Sequence, residues 1–239
     1  MDIAERISQL KSELPETVRV LAVSKFHPES VIMEAYRAGQ RIFGENRVQE
    51  LLPKYEHLPK DIEWHFIGHL QANKVKFIVP FIHTIQSIDS LKLAETVNKE
   101  AAKCKRRIRV LLQIHIALEE QKFGFSYEEM EDLLKTNAFD SLENLDISGL
   151  MAMATLTDDK TQIRNEFHRL NAFFLQLKNG YFVGKDSFNE LSIGMSDDYP
   201  IAVEEGSTMI RIGSKLFGER NYPHPPEGGF LGVELKSPL

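Results

Sequence analysis

Lys25 is the residue of this sequence best placed to form a covalent bond. It stands in Ser24-Lys25-Phe26-His27-Pro28, two residues beyond the β-forming run Val18-Arg-Val-Leu-Ala-Val23. A lysine at a strand end ordinarily reaches into water. Here Val23, Phe26 and Pro28 surround it with apolar surface, which favours the neutral amine. A neutral amine attacks an aldehyde and forms a Schiff base.

A second group of residues has the chemistry of an anion site. Ser192-Ile-Gly-Met-Ser196 and Gly213-Ser214 each follow a β-forming run near the end of the chain. Gly194 and Gly213 allow a backbone to approach an anion closely. Ser192, Ser196 and Ser214 add hydroxyl donors, Met195 lies between them, and Ser196 is expected to cap a helix starting at Asp197. Exposed amides and a helix N-terminus favour phosphate. The same residues also make ordinary turns and caps. A lysine and a phosphate site at one mouth would suit a phosphorylated carbonyl compound, either pyridoxal 5′-phosphate (PLP) or a sugar phosphate of the class I aldolase type.

Arg211 stands two residues before Gly213, so strand alternation puts the two on one side. Facing inward, its guanidinium would lie near a ligand; otherwise it forms a salt bridge at the sheet end. A guanidinium beside a pyridine nitrogen keeps that nitrogen unprotonated and weakens the ring as an electron sink. His65 and His69 are four residues apart, but a strand followed by a turn does not bring them together. His83 and His115 read as hydrogen-bonded core or rim histidines, and Lys74, Lys76, Lys185 and Lys215 as surface lysines. No metal set is expected, and no GxGxxG, P-loop, GxSxG or HExxH pattern is present.

Eight β-forming runs alternate with helical patterns and can position these residues. The strands are expected at 18–23, 41–44, 63–67, 83–87, 108–116, 145–150, 188–192 and 209–212. Pro28 suits a first helical position and Gly39 a stop. Ser90 suits an N-cap, and Ser126-Tyr-Glu-Glu129 a capping box. A long helix is expected over 160–178 and a short one over 197–205. Strict alternation implies parallel pairing through right-handed crossovers. Eight units in 239 residues fit a (β/α)8 TIM barrel. An open doubly wound sheet would favour a glycine-rich turn after the first strand, where this chain has none. In a barrel, Lys25, Glu45-Asn46, Gly68-His69, Ser87 and Asp89, Lys122, Met151 and Met153, and the two serine–glycine loops all fall at the C-terminal mouth. The barrel with an N-terminal helix is assigned to residues 1–222, and residues 223–239 to a C-terminal tail.

Composition bounds the rest. Lys+Arg number 29 against Asp+Glu 35, for a formal net charge of -6. That balance argues against nucleic acid or an anionic membrane as partner. Cys104 is the one cysteine, so no internal disulfide or cysteine zinc set can form. No run approaches the ~20 apolar residues of a membrane span, and the N-terminus lacks signal-peptide character. A cytoplasmic monomer is the expectation.

Several segments, in order, carry a family resemblance. They are Leu21-Ala-Val-Ser-Lys-Phe26, Phe43-Gly-Glu-Asn-Arg-Val-Gln-Glu50, Trp64-His-Phe-Ile-Gly-His-Leu-Gln-Ala-Asn-Lys74, Lys122-Phe-Gly124, Gly149-Leu-Met-Ala-Met153, Leu191-Ser-Ile-Gly-Met-Ser-Asp-Asp198, Arg211-Ile-Gly213 and Phe217-Gly-Glu-Arg220. From about residue 5 to residue 222 the sequence resembles the YggS/PROSC family of PLP homeostasis proteins. The resemblance implies a barrel like the alanine racemase N-terminal domain, with PLP held as a Schiff base on Lys25. It also implies phosphate contacts from Ser192–Ser196 and Gly213-Ser214, Arg211 facing the pyridine ring, Asn46 near the cofactor and a second PLP contact at Lys122. It implies control of PLP and vitamin B6 levels without established turnover, with PLP-dependent apo-enzymes as recipients. Only about 20 residues follow the loop after the eighth strand, so the second domain and opposing acid/base of the racemases are not expected. An amino-acid racemase-like enzyme is the alternative.

Overall fold

The computed structural model describes residues 1–119 and 123–218. Eight parallel strands close into a barrel in sequential order: β1 Arg19–Val23, β2 Ile42–Glu45, β3 Glu63–Phe66, β4 Thr84–Ile88, β5 Ile108–Gln113, β6 Leu145–Met151, β7 Glu190–Ser192 and β8 Met209–Ile212. β8 pairs with β1 through Leu21 opposite Arg211 and Ala22 opposite Ile212. Helix α1 Ile3–Glu13 precedes the barrel. The crossovers carry α2 Glu29–Arg37, α3 Val48–His57, α4 Val75–Ile78, α5 Leu91–Lys103, α6 Tyr127–Lys135, α7 Lys160–Asn179 and α8 Tyr199–Glu204, and α9 Ser214–Phe217 follows β8. This is the expected (β/α)8 architecture.

Two layers of side chains follow from strand alternation. Ala22, Phe43, Trp64, Ile85, Val110, Leu112, Leu150, Ile210 and Ile212 face outward into the main apolar core beneath the helices. The Phe43 and Trp64 rings, on adjacent strands, lie 5.9 Å apart in that layer. Leu21, Leu111 and Met209 have the opposite parity and are fully buried, yet stand apart from that cluster. With His65, Gln86, Ser192 and Arg211 they fill the barrel interior. Gly44 makes room for this filling, since a Cβ there would meet Leu21 Cδ2 at 2.4 Å.

Local signals set most element ends. Ser90 and Ser126 accept the Leu93 and Glu129 amides at 3.3 and 3.0 Å, and Gly39 takes φ +89° beyond α2. Pro28 occupies the N-cap position of α2 rather than its first helical position. The helix after β7 starts at Tyr199, not Asp197, so Ser196 does not cap it. Asp198 flanks it, and its carboxylate accepts the Met195 amide at 2.5 Å. Among the described residues no helix is long and apolar enough to cross a membrane. The tail 223–239 lies outside the described residues.

Candidate functional site

The mouth is built from the C-terminal ends of β1, β2, β7 and β8. Lys25 is partly buried in the turn after β1, and the next residue, Phe26, takes a left-handed φ of +66°. That conformation is strained for a bulky residue. Three interactions hold it. The Phe26 amide donates to Glu50 Oε2 at 2.8 Å. The Arg47 guanidinium lies 5.1 Å over the Phe26 ring. The Ser24 carbonyl accepts from Lys54 Nζ at 3.0 Å.

A buried ionic network lies under this turn. Glu45 Oε1 accepts from Ser24 Oγ at 2.6 Å and from Lys54 Nζ at 2.7 Å. Glu50 Oε2 is 3.8 Å from the same ammonium. Burial raises the Glu45 carboxyl above the usual carboxylate range, and the Lys54 cation pulls it back down. Glu45 is thus the fully buried last residue of β2, not a loop residue of the mouth.

The two serine–glycine loops come together next to the C-terminal end of β1. Gly194 takes φ +93°, and a Cβ there would meet Ala202 Cβ at 2.6 Å and Tyr199 Cα at 3.0 Å. Its carbonyl accepts the Arg211 amide at 2.9 Å, tying this loop to β8. Gly213 lies against Val23, 3.6 Å from where its Cβ would be. The His27 and Phe217 rings, 4.6 Å apart, join the β1 turn to α9. Met195 and Ser214 are exposed and Ser196 partly so, leaving an open rim.

Beneath the rim the interior is polar. Arg211 donates through Nη1 to the Ser192 carbonyl and hydroxyl at 2.6 and 2.9 Å, and through Nη2 to the Ala152 carbonyl at 2.8 Å. Burial lowers its pKa to about 10, with Asp198 opposing the shift, so the guanidinium is a cation at neutral pH. Ser192 Oγ donates to Gln86 Oε1 at 2.7 Å, and Gln86 Nε2 meets His65 Nδ1 at 2.8 Å. The Ser192 hydroxyl is therefore committed within the barrel, below the loop expected to donate it to phosphate. Asn46 lies in the loop after β2, packed against Gly68. Its Oδ1 is buried without a hydrogen-bond partner. Lys122 lies outside the described residues. His69 is not near His65; it pairs with Asp89 at 2.8 Å and stacks on Phe123 at 3.8 Å.

A family model described as "Alanine racemase, N-terminal domain" matches residues 2–221. The chain belongs to the alanine racemase N-terminal domain family. A relative from Haemophilus influenzae named pyridoxal phosphate homeostasis protein is 42% identical over 209 residues, 86% of each chain. A human protein of the same name is 38% identical over 253 residues, covering 99% of this chain and 91% of the relative. The structure of PipY from Synechococcus elongatus PCC7942, solved with PLP bound, is 38% identical with a TM-score of 0.82, over 91% of this chain and all of that one.

In this alanine racemase N-terminal domain barrel, sequence reasoning missed Lys54, Glu50 and Gln86. Lys54 gives one usable signal: it lies three residues after Leu51, on the buried stripe of α3 with Val48. A lysine on an apolar stripe is rare unless paired.

Proposed function

We propose that this protein binds PLP at the barrel mouth and holds it for intracellular PLP homeostasis, with Lys25 as the attachment point. The observation that carries this reading is the meeting, at one mouth, of the Lys25 turn, the Gly194 and Gly213 loops and the Arg211 cation. The names of the relatives from Haemophilus influenzae and human, and the PLP bound by PipY, support it.

The residues fit the group. PLP supplies an aldehyde that condenses with an amine, a phosphate and a ring that withdraws electrons. The strained Phe26 and its Glu50 contact hold the Lys25 turn in one orientation. The Gly194 and Gly213 loops, with Met195, Ser196 and Ser214 on the rim, would take the phosphate, while Ser192 holds Arg211 from below. Arg211 would face the ring nitrogen and disfavour a proton there, which suits holding PLP more than carbanion chemistry. Asn46, whose Oδ1 is buried without a hydrogen-bond partner, stands in the loop after β2 at the same mouth.

In this reading the protein is a cytoplasmic monomer that releases PLP to PLP-dependent apo-enzymes and has no turnover of its own. The test pairs equilibrium dialysis of PLP with solvent-deuterium exchange at the Cα of amino acids. The expected result is saturable PLP binding, strongly weakened in Lys25→Ala, with no exchange above free PLP. Rapid exchange that depends on Lys25 would instead make the protein a racemase-like enzyme.

A further inference from the structure

The opposite, N-terminal face of the barrel carries a second cluster that the reading above does not use. Glu63 opens β3, His65 follows with the same inward parity, and His83 immediately precedes β4. One ligand-type atom from each of the three lies within 4.8 Å of the others. The two imidazole rings are 5.3 Å apart, and His83 Nε2 is 3.7 Å from Glu63 Oε2. His65 is fully buried, and its Nε2 has no hydrogen-bond partner. A buried polar atom left unmatched in this way calls for a partner.

We propose that Glu63, His65 and His83 bind a first-row divalent cation, with Zn²⁺ the best match. Two imidazoles and one carboxylate are a zinc donor set, with a fourth position left for water. The surroundings agree with it. His65 Nδ1 contacts the Gln86 side-chain amide at 2.8 Å. That amide can turn so that its oxygen accepts from Nδ1–H, with Ser192 Oγ then accepting from Gln86 Nε2 in place of donating to Oε1; His65 Nε2 then presents its lone pair, in the way a second partner orients a metal-bound imidazole. His83 is fixed likewise, its Nδ1 2.8 Å from Thr84 Oγ1, which leaves Nε2 toward Glu63. Glu63 and His83 are each about two-fifths exposed, at 40% and 41%, so both can draw in around an ion and solvent can deliver it.

The charges nearby allow a cation. Arg19 and Arg109 act on the cluster, and Glu190, 2.7 Å from Arg19 and 3.2 Å from Arg109, offsets one of the two charges while Glu63 offsets the other. Burial lowers the pKa of both His65 and His83, and at His83 the Glu63 carboxylate opposes the shift.

The test uses the full-length protein, treated with chelator and dialysed, then titrated calorimetrically with zinc chloride. Cobalt(II) chloride, followed by visible absorbance, reports the ligand geometry. His83→Ala and Glu63→Gln change partly exposed residues, and circular dichroism checks that each variant folds. His69→Ala, at the opposite mouth, is the control. The expected result is one zinc per chain, an affinity lowered at least about tenfold in both ligand variants and unchanged in the control, and the intense bands of a low-coordinate cobalt site. If His83→Ala fails to fold, Glu63→Gln alone decides. The proposal is overturned by absence of stoichiometric zinc, by undiminished binding in a folded ligand variant, or by an equal loss in His69→Ala.

Discussion

The Lys54 ammonium lies 2.7 Å from Glu45 Oε1, both groups buried directly beneath the Lys25 turn. Removing one member of such a pair strands the other charge and costs about 3–5 kcal/mol. Lys54→Met is therefore expected to destabilise the fold strongly, and Glu45→Gln with Lys54→Met together much less. The loss depends on pH. Without Lys54, burial and the Glu50 charge act on Glu45 against the Ser24 hydrogen bond alone, and its folded pKa rises further above the unfolded value near 4.5. Its contribution is then fully present below that value and is lost as pH rises through the folded pKa. Urea unfolding at a series of pH values should show the Lys54→Met deficit growing from acid toward neutral pH.

Arg211 holds the Ser192 and Ala152 carbonyls in the barrel interior. Arg211→Gln removes a charge-assisted pair of bonds and leaves buried acceptors unmatched, at about 2–4 kcal/mol. Ser192→Ala removes one hydroxyl link between Arg211 and Gln86 and should cost about 1 kcal/mol. Chemical denaturation measures both. PLP dialysis should show a weaker complex in Arg211→Gln than in Ser192→Ala.

Gly194 and Gly213 respond differently to the same change. Gly194→Ala meets a left-handed φ of +93° and a contact of 2.6 Å to Ala202 Cβ, so it should lose about 2 kcal/mol or more. Gly213→Ala finds ordinary contact distance, 3.6 Å to Val23 Cβ, and should leave folding nearly unchanged. Its new methyl group still stands beside the Lys25 turn. The variant should therefore bind PLP less well at near-native stability, read by thermal unfolding and dialysis side by side.

Much of this was legible in the sequence. The eight strands and the barrel came from regular alternation of apolar runs with helical patterns. Lys25, Gly194, Arg211 and Gly213 came from their places after or on strands. The helix after β7 starts later than expected because Ser196-Asp-Asp198 offers three consecutive cap residues. Asp198 takes the N-cap position without a side-chain cap bond, its carboxylate instead accepting the Met195 amide of the preceding loop, a contact that local sequence does not reveal. Lys54 was hidden because a lysine reads as a surface residue until its partner is known, and Glu45 lies nine positions away on another element. The approach of His65 to His83 depends on the register of β3 beside β4, where His65 faces Thr84, and linear spacing does not carry that.

The most direct test of the central claim is to add PLP to the purified protein, record its visible absorbance, reduce with borohydride and map the label by peptide mass spectrometry. The expected result is a protein-dependent band that reduction fixes onto Lys25, absent in Lys25→Ala. No such band, or a label scattered over surface lysines, would contradict it.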